Sequence, residues 1–242
     1  MKRTLDVLLS LTGLLLSAPL LVPVLLLIWA QDRHSPFYVA SRTGLAGRPF
    51  RMVKLRSMRA NADKTGVDST AASDSRITPV GAFVRRYKLD ELTQLWNVLI
   101  GDMSLVGPRP NVARETRMYT AQEMRLLSVQ PGITDFASVV FADEGEILAG
   151  CSDPDLSYNQ LIRPWKSRLG LLYVDERSVW LDLELIVLTA LAIASRRTAL
   201  RAVARRLEAL GAAPDLVNVA ARCEELRPAA PPGSDQIVMA RY

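Results

Sequence analysis

The chain has 242 residues, 49% of them hydrophobic, and its 30 basic and 25 acidic side chains leave a formal net charge of +5. That length suits one catalytic unit with appendages, and an ordinary charged fraction of 23% means the apolar excess is concentrated rather than spread. Cys151 and Cys223 lie far apart, which excludes a CxxC zinc site or a disulfide framework, and the single histidine, His34, sits in a polar turn, which argues against histidine-based hydrolysis and leaves carboxylate or metal chemistry.

The first element is an uncharged run from Val7 to Gln31, longer than the roughly 20 residues a helix needs to cross a bilayer core. Lys2 and Arg3 resemble a signal-peptide start, but the run is too long and no A-x-A-like site precedes Gln31. Pro19 and Pro23 each remove a helix hydrogen bond in its middle, and Ser17 can bond a freed carbonyl there. Basic residues stand on both sides: Lys2 and Arg3 before, Arg33, Arg42, Arg48, Arg51 and Lys54 after. The positive-inside bias then puts both ends on the cytoplasmic side. The expectation is a re-entrant helix hairpin over 1–31 broken at Ser17, Pro19 and Pro23, with a kinked span as the alternative.

Two short strands follow at 35–40 and 48–55, turned by Gly44 and Gly47, which predicts a β-hairpin. Residues 59–75 are polar and rich in Ala, Asp, Ser and Thr, the composition of a mobile loop. Between 85 and 99, Leu89, Leu92, Leu95, Trp96 and Leu99 recur at three- and four-residue steps, predicting a helix that buries this face. Asp90 and Glu91 then fall in its first turn, either as charges complementing the helix dipole or as a catalytic pair. In Gly107-Pro108-Arg109-Pro110 the prolines stiffen the backbone around Arg109, which suits a phosphate ligand or a turn facing water.

Residues 179–194 are mostly apolar but carry Asp182 and Glu184, and Arg196, Arg197, Arg201, Arg205 and Arg206 come next. This stretch is too short and polar for a span, so an interfacial amphipathic helix held by anionic lipid is expected, against a basic helix facing water. From Arg227 a Pro- and Ala-rich tail reads as disordered. The organisation expected is a membrane helix at 1–31, a cytoplasmic catalytic domain at 32–195, a basic helical extension at 196–226 and a tail at 227–242. The fold class is mainly α with one small β-hairpin.

Four blocks in order, Lys54-Leu55-Arg56-Ser57-Met58, the run from Asp90 to Leu99, the run from Gly101 to Pro110, and Pro131-Gly132-Ile133-Thr134, resemble those of the monotopic bacterial sugar transferases, which are phosphoglycosyl transferases. The resemblance runs from the apolar segment to about residue 194. It implies a UDP-sugar donor whose sugar-1-phosphate passes to polyprenol (undecaprenyl) phosphate with release of UMP, at the start of lipid-linked glycan assembly. It also implies Asp90 as the nucleophile of an aspartyl-phosphosugar intermediate, Glu91 as a ligand of Mg²⁺, and membrane lipid as a partner. A hard carboxylate oxygen suits Mg²⁺, and an anionic nucleophile facing a pyrophosphate needs cations. Lys54, Arg56, Arg85 and Arg109 are the candidates to bind phosphate, with structural salt bridges as the alternative for Lys54 and Arg56. Asp182 matches a position acidic across the family and either assists the metal or caps a helix.

The chain departs from the pattern in several places. Thr93 stands where many relatives have proline, Val140 and Ala142 where a related branch has arginines, and Gly170 where relatives often have an acidic residue. These changes motivate one competing reading, a catalytically impaired membrane scaffold of a glycan-assembly complex. A nucleic-acid partner, the other reading of the basic balance, is not expected, because no binding motif or aromatic-studded basic face occurs.

Overall fold

The computed structural model describes residues 1–62 and 74–240. Most of the loop expected at 59–75 falls on 63–73, outside the described residues. Helix α1 (Lys2–Asp32) is the one described helix long and apolar enough to cross a membrane. Pro19 and Pro23 lie inside it, and Ser17 Oγ donates to Leu14 O at 3.2 Å, one residue before the carbonyl that Pro19 leaves without its donor.

The amino-terminal turns of α1 are fixed by polar contacts. Lys2 Nζ pairs with Asp182 Oδ2 at 2.6 Å, and buried Asp6 accepts from Ser104 Oγ and Leu105 N at 2.9 and 3.0 Å. Leu21, Val24 and Ile28 near its other end pack against Leu55, Val84 and Leu89. Between them Leu15, Leu16 and Leu20 remain exposed.

Strands β1 (Phe37–Thr43) and β2 (Pro49–Leu55) form the expected antiparallel hairpin, Phe37 opposite Leu55 and Thr43 opposite Pro49. The turn contains Ala46 and Gly47 at positive φ. Helix α2 (Pro79–Arg86) is capped by Thr78, whose hydroxyl accepts from Gly81 N. The helix read across 85–99 is divided. Lys88 adopts a left-handed conformation (φ 54°), Leu89–Glu91 form one 3₁₀ turn, and α3 (Gln94–Ile100) starts afterwards. The expected face is buried only in part: Leu89 is buried, Leu92, Leu95 and Leu99 are half-buried and Trp96 is exposed. Thr93, Gln94, Asn97 and Val98 are buried, while Trp96 is 54% and Ile100 53% exposed. The reason lies in partners: Asn97 donates to Arg51 O at 2.7 Å and accepts from Val53 N at 2.9 Å, so the polar face is the one that grips β2.

A second sheet is parallel, with β3 (Ser104–Val106) beside β4 (Gly132–Thr134). Short helices α4 (Ala113–Thr116), α5 (Phe136–Val140), α6 (Glu144–Ile147) and α7 (Pro154–Ser157) lead to α8 (Arg163–Glu176), α9 (Val179–Ala194), α10 (Arg196–Ala209) and α11 (Pro214–Ala221). Beyond β3 and β4 the backbones meet without room for a side chain. A Cβ added to Gly132 would lie 2.1 Å from Gly107 N and 2.4 Å from Gly107 O. Gly132→Ala should therefore push the two segments apart at a cost of about 3 kcal/mol. A thermal unfolding midpoint equal to that of the parent chain would refute this.

The extension expected as an appendage is continuous with the core. Ala199, Leu200, Val203, Ala204 and Leu207 of α10 are buried in the same apolar cluster as Phe136, Val139, Leu181 and Leu185. The tail expected to be disordered has no helix or strand from 227 to 240 but is tied down. Ala229 N donates to Gln160 O at 3.0 Å, Arg168 Nη2 to Ala230 O at 2.9 Å, and Thr120 Oγ1 to Pro232 O. Two of its backbone carbonyls are satisfied by side chains of the domain, which holds the segment without secondary structure.

Candidate active site

The 3₁₀ turn Leu89–Glu91 presents two adjacent carboxylates, each facing a different cation. Lys54 Nζ lies 3.8 Å from Asp90 Oδ2, and Arg109 Nη2 lies 2.9 Å from Glu91 Oε1. Lys54 arrives from β2, Arg109 from the segment after β3. Thr93, where many relatives have proline, anchors the turn: its hydroxyl lies 3.1 Å from Val53 O and 3.2 Å from Asp90 O.

All four groups are largely withdrawn from water, with side-chain exposures of 15–32%. Burial raises the Asp90 carboxyl above the usual carboxylate range, opposed by Lys54 and reinforced by Glu91. At Glu91 burial acts in the same direction but is outweighed by Arg109, with Lys54 and Lys88, and the carboxyl falls to about 2. Burial and the neighbouring Arg109 lower Lys54 to about 8. The two carboxylates thus differ: Arg109 holds Glu91 firmly ionised, while burial moves the Asp90 carboxyl upward.

Of the remaining candidates, Arg85 is half-buried in the last turn of α2, and its charge acts on Asp90. Arg56 is elsewhere. It clamps the end of α1, with Nη1 and Nη2 at 2.5 and 2.6 Å from the Asp32 carboxylate and Nε donating to Ser35 O at 2.7 Å. Every face of its guanidinium serves that joint, so the structural alternative holds for this arginine. Asp182 likewise forms no contact with the carboxylate pair among the described residues. It accepts from Lys2 and from Tyr173 Oη, each at 2.6 Å, and Lys2 also donates to Val106 O at 3.0 Å. Ser17, Pro19 and Pro23 belong to the exposed middle of α1. His34 is exposed and bonded to Asp32 O.

Arg109 also borders a cleft of about 450 Å³, open to solvent, whose wall includes Asn111, Asp135, Ser138, Tyr158 and Lys166. Sequence reading passed over this wall. Asp135 follows the fourth block directly, which is a signal, but Lys166 comes from α8 and carries none. Lys166 pairs with Glu144, whose carboxyl is lowered on balance: burial opposes the shift, while Lys166 and then Arg109 outweigh it. Gly170 is buried on α8, and a Cβ there would lie 2.8 Å from Leu126 Cδ2, so an acidic side chain has no room without moving Leu126.

Paired carboxylates bracketed by buried cations are an arrangement that can receive a phosphoryl group, because cations offset the charge it brings. Residues 1–196 match the family described as bacterial sugar transferase, and the chain belongs to that family. It is 37% identical over 204 residues (82% of the chain) to the UDP-glucose:undecaprenyl-phosphate glucose-1-phosphate transferase of Xanthomonas campestris pv. campestris. It is also 37% identical over 196 residues (78%) to the undecaprenyl-phosphate glucose phosphotransferase of Komagataeibacter xylinus. The UDP-N-acetylgalactosamine-undecaprenyl-phosphate N-acetylgalactosaminephosphotransferase of Aeromonas hydrophila is 32% identical over 195 residues (78%). The matched regions cover 40%, 35% and 42% of the lengths of these three relatives.

Proposed function

We propose that this chain is a phosphoglycosyl transferase that moves a sugar-1-phosphate from a UDP-sugar to undecaprenyl phosphate, releasing UMP and starting lipid-linked glycan assembly at the cytoplasmic face of the inner membrane. The observation that carries the reading is the Asp90–Glu91 turn with a separate cation on each carboxylate, in a chain whose relatives bear those names. Asp90 attacks the phosphorus that bears the sugar, and the bond from that phosphorus to the UMP oxygen breaks. An oxygen of the lipid phosphate then attacks the same phosphorus and displaces Asp90. Splitting one displacement into two keeps the two large substrates from having to meet directly. Lys54 keeps Asp90 ionised in spite of its burial, and Arg109 offsets charge on the phosphates.

Glu91, with Asp90 beside it, fits Mg²⁺: two adjacent hard carboxylates suit an ion that takes one or two protein carboxylates plus substrate phosphates. Bound there, the ion would neutralise phosphate oxygens. The membrane reading draws on α1, whose two ends both pack on the domain while its middle stays exposed, as a helix that enters and leaves by one face requires. Exposed Trp96 and Ile100 on α3 and Trp180, Val187 and Ile193 on α9 supply further apolar surface for the interface.

Solubilised protein supplied with Mg²⁺, undecaprenyl phosphate and a panel of UDP-sugars should release UMP with at least one donor. Silence across the panel would sink the reading and favour the scaffold. The rate should fall on the alkaline side near pH 8 as Lys54 loses its proton, because the cation beside Asp90 that offsets the charge of the incoming phosphate is then gone. Lys54→Arg, which stays charged, should remove that fall. A limb unmoved in the arginine variant would assign it to another group.

A further inference from the structure

We propose that the carboxyl-terminal helices position the cleft wall for the donor through a two-arginine clamp on Asp143, so that this chain's transferase site is incomplete without residues beyond its family match. The inference rests on the function proposed above. Residues 135–146, which begin at the cleft wall with Asp135, Ala137 and Ser138, contain four carboxylates and no lysine or arginine. Their counter-charges are all brought from other elements. Glu144 is paired by Lys166 of α8. Asp143, with a side chain only 12% exposed, is paired twice: Arg196 Nη2 lies 2.7 Å from Oδ1 and Arg222 Nη2 lies 2.9 Å from Oδ2.

Both arginines belong to the end of the chain. Arg196 opens α10 at the last residue of the family match, and Arg222 ends α11, 26 residues beyond it. Arg222 takes a left-handed conformation (φ 55°) there, and its guanidinium stands over the Phe141 ring at 5.8 Å. Arg196 also donates to Val140 O at 3.2 Å, one of the carbonyls left open at the end of α5. The clamp therefore holds the backbone from 140 to 143 as well as the carboxylate. Upstream, α5 carries Asp135 as its cap, with Oδ1 bonded by Ser138 N and Oγ at 2.7 Å, and both residues face the cleft. Downstream, Glu144 is the next residue. A carboxylate as buried as Asp143 needs a partner to stay in place, and without it the segment after Ser138 is fixed by core packing and the Lys166–Glu144 pair alone.

Arg196 and Arg222 are positioning residues: they touch no reacting atom and act through the wall. The test compares Arg222→Ala, Arg222→Lys and Asp143→Asn with the parent chain for donor KM, kcat and backbone hydrogen exchange at 135–147. Arg222→Ala and Asp143→Asn should raise the donor KM by about tenfold with kcat within about threefold, as displacement of a binding wall by a fraction of an ångström does. Exchange at 135–147 should accelerate while that of α9 is unchanged, and Arg222→Lys should recover most of both effects. Unchanged KM and unchanged exchange would overturn the proposal, as would a lower unfolding temperature with no change in KM. If the chain releases UMP with no donor, the function fails but the clamp is still judged by the exchange at 135–147. The near-isosteric Asp143→Asn guards against misreading a variant of Arg222 that fails to fold.

Discussion

Asp90→Asn is expected to lower UMP release by at least about a thousandfold, since the amide cannot displace a phosphate-bound leaving group and nothing beside it can take over. Among the described residues the nearest alternative carboxylate is Glu91, which Arg109 engages at 2.9 Å and holds strongly acidic. A weakly basic carboxylate is a poor nucleophile, so Glu91 cannot substitute. Given a donor labelled in its sugar phosphate and no lipid acceptor, the parent chain should retain label on the peptide containing Asp90, and the variant should retain none. Release within tenfold of the parent rate in the variant would remove Asp90 from the chemistry.

The largest effect on stability is expected behind the cleft, at Glu123. Its side chain is fully buried against Arg163, with Arg163 Nη2 and Nε at 2.6 and 3.1 Å, Ser167 Oγ at 2.7 Å and Thr120 N at 3.0 Å. Arg163 spends its remaining donors on Met118 O and Asn159 Oδ1. Every polar atom of the pair is satisfied, so removing one partner leaves an uncompensated buried charge. Glu123→Ala should cost about 3–5 kcal/mol. Replacing both partners with apolar residues of similar volume, Glu123→Leu with Arg163→Met, should recover much of that loss. Denaturant unfolding of the single and double variants reads both, and a loss below about 1 kcal/mol in Glu123→Ala would contradict the assignment.

The sequence carries the parts of this site that depend on local pattern. The two strands with glycines between them, the uncharged helix and the adjacent carboxylates are each written in a few consecutive residues. What it does not carry are pairings set by distant residues. Arg56 looks like a phosphate ligand until Asp32 is seen to close on it, and Asp182 looks like a metal ligand until Lys2 and Tyr173 take both its oxygens. The break before the carboxylate pair is silent for a different reason: Lys88 is an ordinary residue in a left-handed conformation, with no glycine or asparagine to announce it. Trp96 is exposed on a face read as buried, because periodicity reports which side of a helix is apolar, not whether that side meets protein or faces outward.

The Lys2–Asp182 pair has a consequence for how the molecule folds. Its two residues are 180 positions apart, so Lys2 cannot complete its contacts until α9 has closed a loop of that length. Such closure is entropically costly and comes late. The joint of Lys2 with the end of β3 and with α9 therefore forms as a finishing step, after the rest of the domain has a shape to receive it.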